Sequence, residues 1–300
     1  MNSLKDLHET LIREITDERN QEMARLIAEK RQQEEQAKER YRKGMESVAA
    51  MGIDVSRLEA MNLELSALDE KELLEAEAQM EQLSQESPVI EQPDPESALV
   101  PEGVQLLQPS WVGAFSDDDA RDELTEASAP SSQTLLTGSC KNYFNWAKGA
   151  GTGLFGTGVG KNQSWVDFGF WFRPRVTRYY AIRPLFRLRG YVIVKANDGV
   201  FTSKYAKVKA VARVNVHQYN WKGENEVSLY SIGGDNINRN QRMDIDRHTY
   251  NSYLLARDDW AFIRCTIGLY AYARGSGSHA RNDFSTGAAN HLCVPHCHVL

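Results

Sequence analysis

Long apolar runs are missing from this 300-residue sequence. No stretch approaches the roughly 18 apolar residues that a membrane-crossing helix needs, so none is expected. The N-terminus lacks the apolar core of a secretory signal, because Asp6, Glu9 and Glu14 interrupt it. The expectation is a chain made and folded in the cytoplasm, with release as part of a larger particle left open. Cysteine is scarce, at four residues, and a chain of this size requires no disulfide framework. Aromatic residues are nearly absent from the first 135 positions, which hold only Tyr41, Trp111 and Phe115, so that region has little from which to build a core. Enzyme signatures are absent as well: there is no GxSxG elbow and no HExxH pair, and no enzyme is expected.

Charge of one sign is in deficit in each part in turn. Residues 1–135 carry 13 Lys and Arg against 31 Asp and Glu, a net of −18, while residues 136–300 carry 22 against 10, a net of +12. The acidic part divides again. Leu4, Leu7, Leu11 and Ile15 begin a stripe that Met23, Leu26 and Ile27 resume, with Tyr41, Met45 and Val48 far beyond, and this spacing predicts a long helix stopping at Gly44 or Gly52. A second helix is predicted from a capping Ser56, with the stripe Leu58, Met61, Leu65, Leu68, Leu73, Ala76, Met80 and Leu83. Its rhythm breaks between Leu68 and Leu73, where Asp69 reads as a fresh cap. One amphipathic helix cannot bury its own stripe, so residues 1–85 read as a coiled coil for oligomerisation or for docking on a partner protein, the plainer reading being a small intramolecular helical hairpin. Residues 86–137, with several prolines and an acidic run, read as a disordered linker containing one apolar island, Val104 to Phe115, that is a motif docking on a partner or folding back onto the C-terminal domain, or merely a sticky loop.

From residue 138 the period becomes two. Ser164–Phe172, Leu185–Ala196, Ala206–Tyr219, Glu226–Ile232 and Ala261–Arg274 alternate apolar and polar residues and are rich in β-branched and aromatic side chains. Asn197-Asp198-Gly199 reads as a hairpin turn, and Asp246 to Asp258 as the longest helical pattern in this half. The fold class that follows is a multi-part α + β chain: helices, linker, then an all-β antiparallel sandwich over 138–300, jelly-roll-like or closed into a barrel.

Alternation assigns an outward basic and aromatic set: Arg187, Arg189, Tyr191, Lys207, Lys209, Arg213, Arg264, Tyr270, Tyr272 and Arg274. If their strands are neighbours in one sheet, the patch is continuous. The glycine-rich run Gly149 to Lys161 fails as a phosphate loop, since Phe155 and Asn162 stand where Gly and Ser or Thr are required. The tail gathers His291, Cys293, His296, Cys297 and His298, thiolate and imidazole chemistry that suits zinc; the competing reading is buried free cysteines beside surface histidines. Asp244, Asp246 and His248 alternate, and an extended chain would aim all three one way as metal ligands or as acid and base, whereas the plainer reading is a polar loop entering a helix. The resulting expectation is a non-enzymatic structural or recognition protein, with helices for assembly or anchoring and a β domain that binds, for instance, carbohydrate, or packs into an assembly. The alternatives are nucleic-acid or anionic-surface binding by the basic sheet, and a membrane-active oligomeric toxin.

Overall fold

The computed structural model describes residues 4–86, 103–116, 140–141, 143–148, 159–197, 204–275, 277–286 and 290–300. Most of the expected linker, the tip of the Asn197-Asp198-Gly199 turn and the glycine-rich run up to residue 158 lie outside these residues.

Two helices open the chain, α1 (Leu4–Ala50) and α2 (Val55–Glu86). Gly52, at φ +76°, ends the first by taking a backbone conformation that disfavours a Cβ. The cap of the second is Asp54, whose carboxylate accepts from the Arg57 N–H at 3.2 Å, and not Ser56. The break expected at Asp69 does not occur, and α2 runs through it. Asp69 instead accepts from Lys204 at 2.8 Å, a partner that sequence spacing does not reveal.

The strands are β1 (Gln105–Leu107), β2 (Trp111–Ser116), β3 (Cys140–Lys141), β4 (Tyr143–Lys148), β5 (Val159–Phe172), β6 (Arg178–Ala196), β7 (Tyr205–Gln218), β8 (Asn220–Trp221), β9 (Asn225–Asp235), β10 (Ile237–His248), β11 (Asn251–Leu255), β12 (Ala261–Arg274), β13 (His279–Phe284), β14 (His291–Cys293) and β15 (Cys297–Val299). They form two antiparallel sheets face to face, a sandwich and not a closed barrel. The first has the path β1-β15-β6-β13-β4, with β10, β11 and β14 also on β6; the second has the path β2-β5-β12-β7-β8, with β9 on β7.

The apolar sides of the alternating strands meet between the sheets. Phe168, Phe170, Ile182, Phe186, Leu188, Val192, Val214, Ile263, Ile267 and Phe284 are all buried there. Burial of this kind supplies about 25 cal/mol per Å² of apolar surface and is the main force holding the two layers together. Two local expectations are corrected. Strands β6 and β7 lie in different sheets, so Asn197-Asp198-Gly199 does not join a hairpin. Residues 246–258 are not helical, because their polar residues pair as strands: β10 and β11 both line up on β6. The apolar island folds back, β1 onto β15 and β2 onto β5.

The stripes of both helices are covered mainly by the sheets, although Val48, far along α1 beside the turn into α2, is buried too. Leu11 and Ile15 of α1 pack on Phe262, with Trp111, Trp171 and Trp221 around them, and Met23 and Leu26 pack on Trp165. Ala76 and Met80 of α2 pack on Tyr191 and Ile193, on the outer face of the opposite sheet. The helices thus clasp the sandwich from both sides. Beyond Leu26, α1 continues for about 36 Å at 1.5 Å per residue before the chain turns back. That projection ends at the exposed Met51 and Ile53, and Met61, Leu65 and Leu68 are exposed along α2.

Candidate functional site

Antiparallel register on the outer face of the second sheet puts Tyr270 opposite Gln163 and Lys209, and Tyr272 opposite Lys161 and Lys207. Because side chains alternate along each strand, these six point the same way. With Tyr205 they line a groove of about 280 Å³. Trp165, one step inward along β5, is covered by α1, so the helix closes one end of this face and leaves the groove beyond it.

Its electrostatics are partly compensated. Glu226 accepts from Lys209 at 2.9 Å and from Arg213 at 3.0 Å, and these contacts hold its carboxyl below the usual range. Lys209 also lies over the Tyr270 ring, 5.6 Å from its centroid, and Arg213 donates to the Tyr270 hydroxyl at 2.9 Å. Burial pushes the Tyr270 hydroxyl up, so it stays protonated at neutral pH. Arg274 sits over Tyr205, whose ring meets Tyr272 edge-on at 5.8 Å. Lys161 and Lys207 have no carboxylate partner among the described residues. Two uncompensated cations beside three half-buried tyrosine rings make a groove suited to a ligand with flat apolar faces and negative or hydroxyl-rich edges.

The ten basic and aromatic residues singled out in the sequence are therefore divided. Lys207, Lys209, Arg213, Tyr270, Tyr272 and Arg274 stand together at this groove. Arg264 shares the sheet but is buried under α1, bound to Asp167 at 3.1 and 3.2 Å. Arg187, Arg189 and Tyr191 belong to the other sheet and face the opposite side of the molecule. Arg187 is paired with Asp246 at 3.0 Å, Arg189 with Asp244 at 2.6 Å, and Tyr191 is buried against α2 with its hydroxyl on Asp283. Asp244, Asp246 and His248 do share one face of β10, but the two aspartates neutralise arginines there. Lys161, Gln163 and Tyr205 complete the groove and were not singled out in the sequence. The signal was the alternation of β5, which runs on from Trp165 through Gln163 to Lys161, straight out of the glycine-rich run.

The tail is split by the same alternation. Cys297 points into the core beside Cys265, whose thiol burial pushes well up, while His298 points out. Cys293 is disulfide-bonded, contrary to the expectation of free cysteines, and its backbone pairs with Cys140. His291 pairs with Arg189 in register, away from the others. What gathers instead is His296 stacked on His298 at 4.8 Å, with His248 at 5.8 Å from His298. Among the described residues no group of three or more His, Cys, Asp or Glu is placed to hold a metal ion.

No family model matches the sequence, and no curated protein does. Among solved structures, TmCBM61 in complex with β-1,4-galactotriose shares 6% identity over 61% of this chain and 89% of its own, with a TM-score of 0.16. The enzymatically active domain of bacteriophage CBA120 tailspike protein 4 shares 11% identity over 61% of this chain and 19% of its own, with a TM-score of 0.15. Neither likeness is close enough to carry an argument.

Proposed function

We propose that this chain is a non-enzymatic recognition protein whose sandwich holds an acidic oligosaccharide in the groove between β5, β12 and β7. The observation that carries this reading is the juxtaposition of Tyr205, Tyr270 and Tyr272 with Lys161, Lys207 and Gln163 around about 280 Å³. Tyrosine rings stack on the apolar faces of sugars, the glutamine amide hydrogen-bonds hydroxyls, and the two lysines without carboxylate partners favour a carboxylated or sulfated sugar. The helical projection, with Met61, Leu65 and Leu68 exposed, attaches the chain to a further copy or a partner helix, and several grooves on one assembly would raise avidity without new contacts.

The same cations and rings would also serve single-stranded nucleic acid, which stacks bases on aromatics and follows salt steeply. Titration of the full chain with acidic oligosaccharides, neutral oligosaccharides and a single-stranded oligonucleotide, at about 50 and about 200 mM salt, separates the readings. The glycan reading expects saturable binding to acidic sugars that Tyr272→Ala removes and that salt weakens only modestly. Binding to the oligonucleotide alone, with a steep salt slope, would replace it.

A further inference from the structure

The end of the sandwich farthest from the helical projection is built from three connections: residues 173–177 before β6, 219–224 around β8, and 256–260 before β12. They are fixed to one another. The Asp258 N–H donates to the Pro174 carbonyl at 2.8 Å, and the Arg257 N–H donates to Thr177 Oγ1 at 3.0 Å. The Gln218 side-chain amide donates to the Ala256 and Asp259 carbonyls, both at 3.0 Å, and the Tyr219 hydroxyl donates to the Asp259 carboxylate. The result is a stitched platform whose tips are ordered before anything binds.

Large apolar side chains stand out from it. On the connections Val176 and Trp260 are exposed and Tyr219 is 70% exposed, and Tyr179 of β6 and Leu254 of β11, opposite each other in the ladder, are exposed at the adjoining strand ends. Tyr219 also holds φ +70°, a backbone conformation that glycine or asparagine would take with less strain, so the geometry of the turn does not account for an aromatic residue there. Around these side chains lie Arg173, Arg175, Arg178, Lys222 and Arg257. Of the carboxylates on these connections, Asp258 is held by Arg257 at 2.8 Å, Glu224 by Arg213 at 3.5 Å and Asp259 by Tyr219, while Glu14 of α1 lies near His217 and Lys222. Arg175, Arg178 and Lys222 have no carboxylate within ion-pair distance among the described residues.

We propose that this platform is a docking surface for an anionic lipid bilayer, on which the protein lies peripherally. Tyrosine and tryptophan, apolar in body and polar at the tip, prefer the level of the headgroups, and arginines beside them meet lipid phosphates and carboxylates. Val176, Tyr219 and Trp260 stand on three different connections, which suits a flat, deformable partner. No described helix is long and apolar enough to cross a membrane, and the contact proposed here needs none. The platform faces away from the projection, so a chain held on lipid by this end would keep its helical tip free.

The test is sedimentation of the full chain with vesicles of phosphatidylcholine alone and with about a third phosphatidylserine, followed by Trp260 emission, with Trp260→Phe to assign the signal. Binding is expected only with phosphatidylserine, with a blue shift that the Trp260→Phe chain lacks. Arg175→Gln and Arg178→Gln should each weaken it by about fivefold, the equivalent of ~1 kcal/mol per basic group at an anionic surface. Tyr219→Gly, which relieves the positive φ while giving up the hydroxyl bond to Asp259, should also weaken it. Free phosphoserine at millimolar concentration should not compete. Equal binding to both vesicle types, no binding to either, or full binding by the three variants would each overturn the proposal.

Discussion

Arg19 of α1 donates from Nε and Nη2 to the Asp167 carboxylate of β5, at 3.0 and 3.1 Å, across 148 residues of sequence. Asp167 is fully buried, and Arg264 holds the same carboxylate from the other side while donating to Glu18 at 3.0 Å. Arg19 in turn reaches Glu22 at 2.8 Å and covers the Trp165 ring at 5.1 Å. Burial alone would raise the Asp167 carboxyl, but the two guanidiniums outweigh it and hold it well below the usual carboxylate range. Asp167→Asn leaves two buried guanidiniums with only the more exposed Glu18 and Glu22 as counter-charges and should cost about 3–5 kcal/mol, read as a lowered denaturant midpoint. Because the folded-state pKa is depressed, the stabilisation is complete above the ordinary value of 3.8 and is lost as pH falls below it. The wild-type chain should therefore lose stability below about pH 4, and Asp167→Asn should flatten that part of the profile.

Arg19→Met tests the clasp more gently, since an apolar side chain of similar length keeps the packing on Trp165 while giving up the charge. The remaining Arg264–Asp167 pair stays matched, so the fold should survive. Amide exchange over residues 7–26 should rise by one to two orders of magnitude as α1 opens locally, with exchange in β12 unchanged. Equal acceleration in helix and strand would mean that the contact stabilises the whole molecule and not the helix alone.

The histidines give a second, separate pH dependence. Burial lowers the His296 pKa to about 4, with His298, His248 and Arg187 adding repulsion, and burial lowers His298 too. A histidine depressed in the fold stays neutral there while its unfolded form takes up a proton, so stability falls as pH drops from about 6.5 towards about 4 and levels off below. Melting temperature should decline across that window in the wild type. His296→Phe, which keeps the stack and removes the titrating group, should reduce the slope. An unaltered slope in that variant would assign the effect to other groups.

How much of this was legible in the sequence depends on the range of the interaction. Ala261–Arg274 alternates so regularly that its strand is read to the residue, and α1 is read nearly so, because period and end signals are local. The pairing of strands is long-range, which is why Asn197-Asp198-Gly199 suggests a hairpin between β6 and β7 when each finds its partners in a different sheet. The basic set was legible as outward-facing and not as divided between two faces, for the same reason. A stripe such as Leu11, Ile15 and Leu26 declares that a helix must be covered, and nothing in it says whether the cover is another helix or a sheet. The partner signal lay in the strands: Trp165, Trp171 and Phe262 occupy positions that alternation assigns to solvent, which is where a sheet with an uncovered face would carry polar residues.

Gly190 shows the packing on the other sheet. A Cβ there would stand 2.2 Å from the Asp283 carbonyl oxygen and 2.5 Å from the Phe284 ring. The first neighbour is backbone held in the β6–β13 ladder, so it cannot turn away as a side chain would. Gly190→Ala should destabilise by about 1–3 kcal/mol despite adding only a methyl group, measured as a lower unfolding midpoint with an unchanged slope. Gly234→Ala, where a Cβ meets nothing within 4 Å, is the matched control and should be within about 0.5 kcal/mol of wild type.

Removal of the helices decides between a strap-and-module chain and a clasped one. A separate sheet module would fold, remain monomeric and melt like the intact chain once residues before Gly103 are deleted. The clasp predicts otherwise, because Trp165, Phe262, Tyr191 and Ile193 are all buried beneath α1 or α2 and would meet water together. Two apolar patches would then open on opposite faces, and such patches on a soluble domain drive association. The chain beginning at Gly103 should bind a hydrophobic dye, gain mass with concentration in light scattering and melt lower than the full protein, while its strand signal persists because the core between the sheets is intact. Replacing Trp165 and Phe262 with threonine in that shortened chain should restore much of its solubility, since alternation places both side chains on the face the helix has left. A shortened chain that stays monomeric and melts as the intact protein does would show that the helices rest on the sandwich without stabilising it.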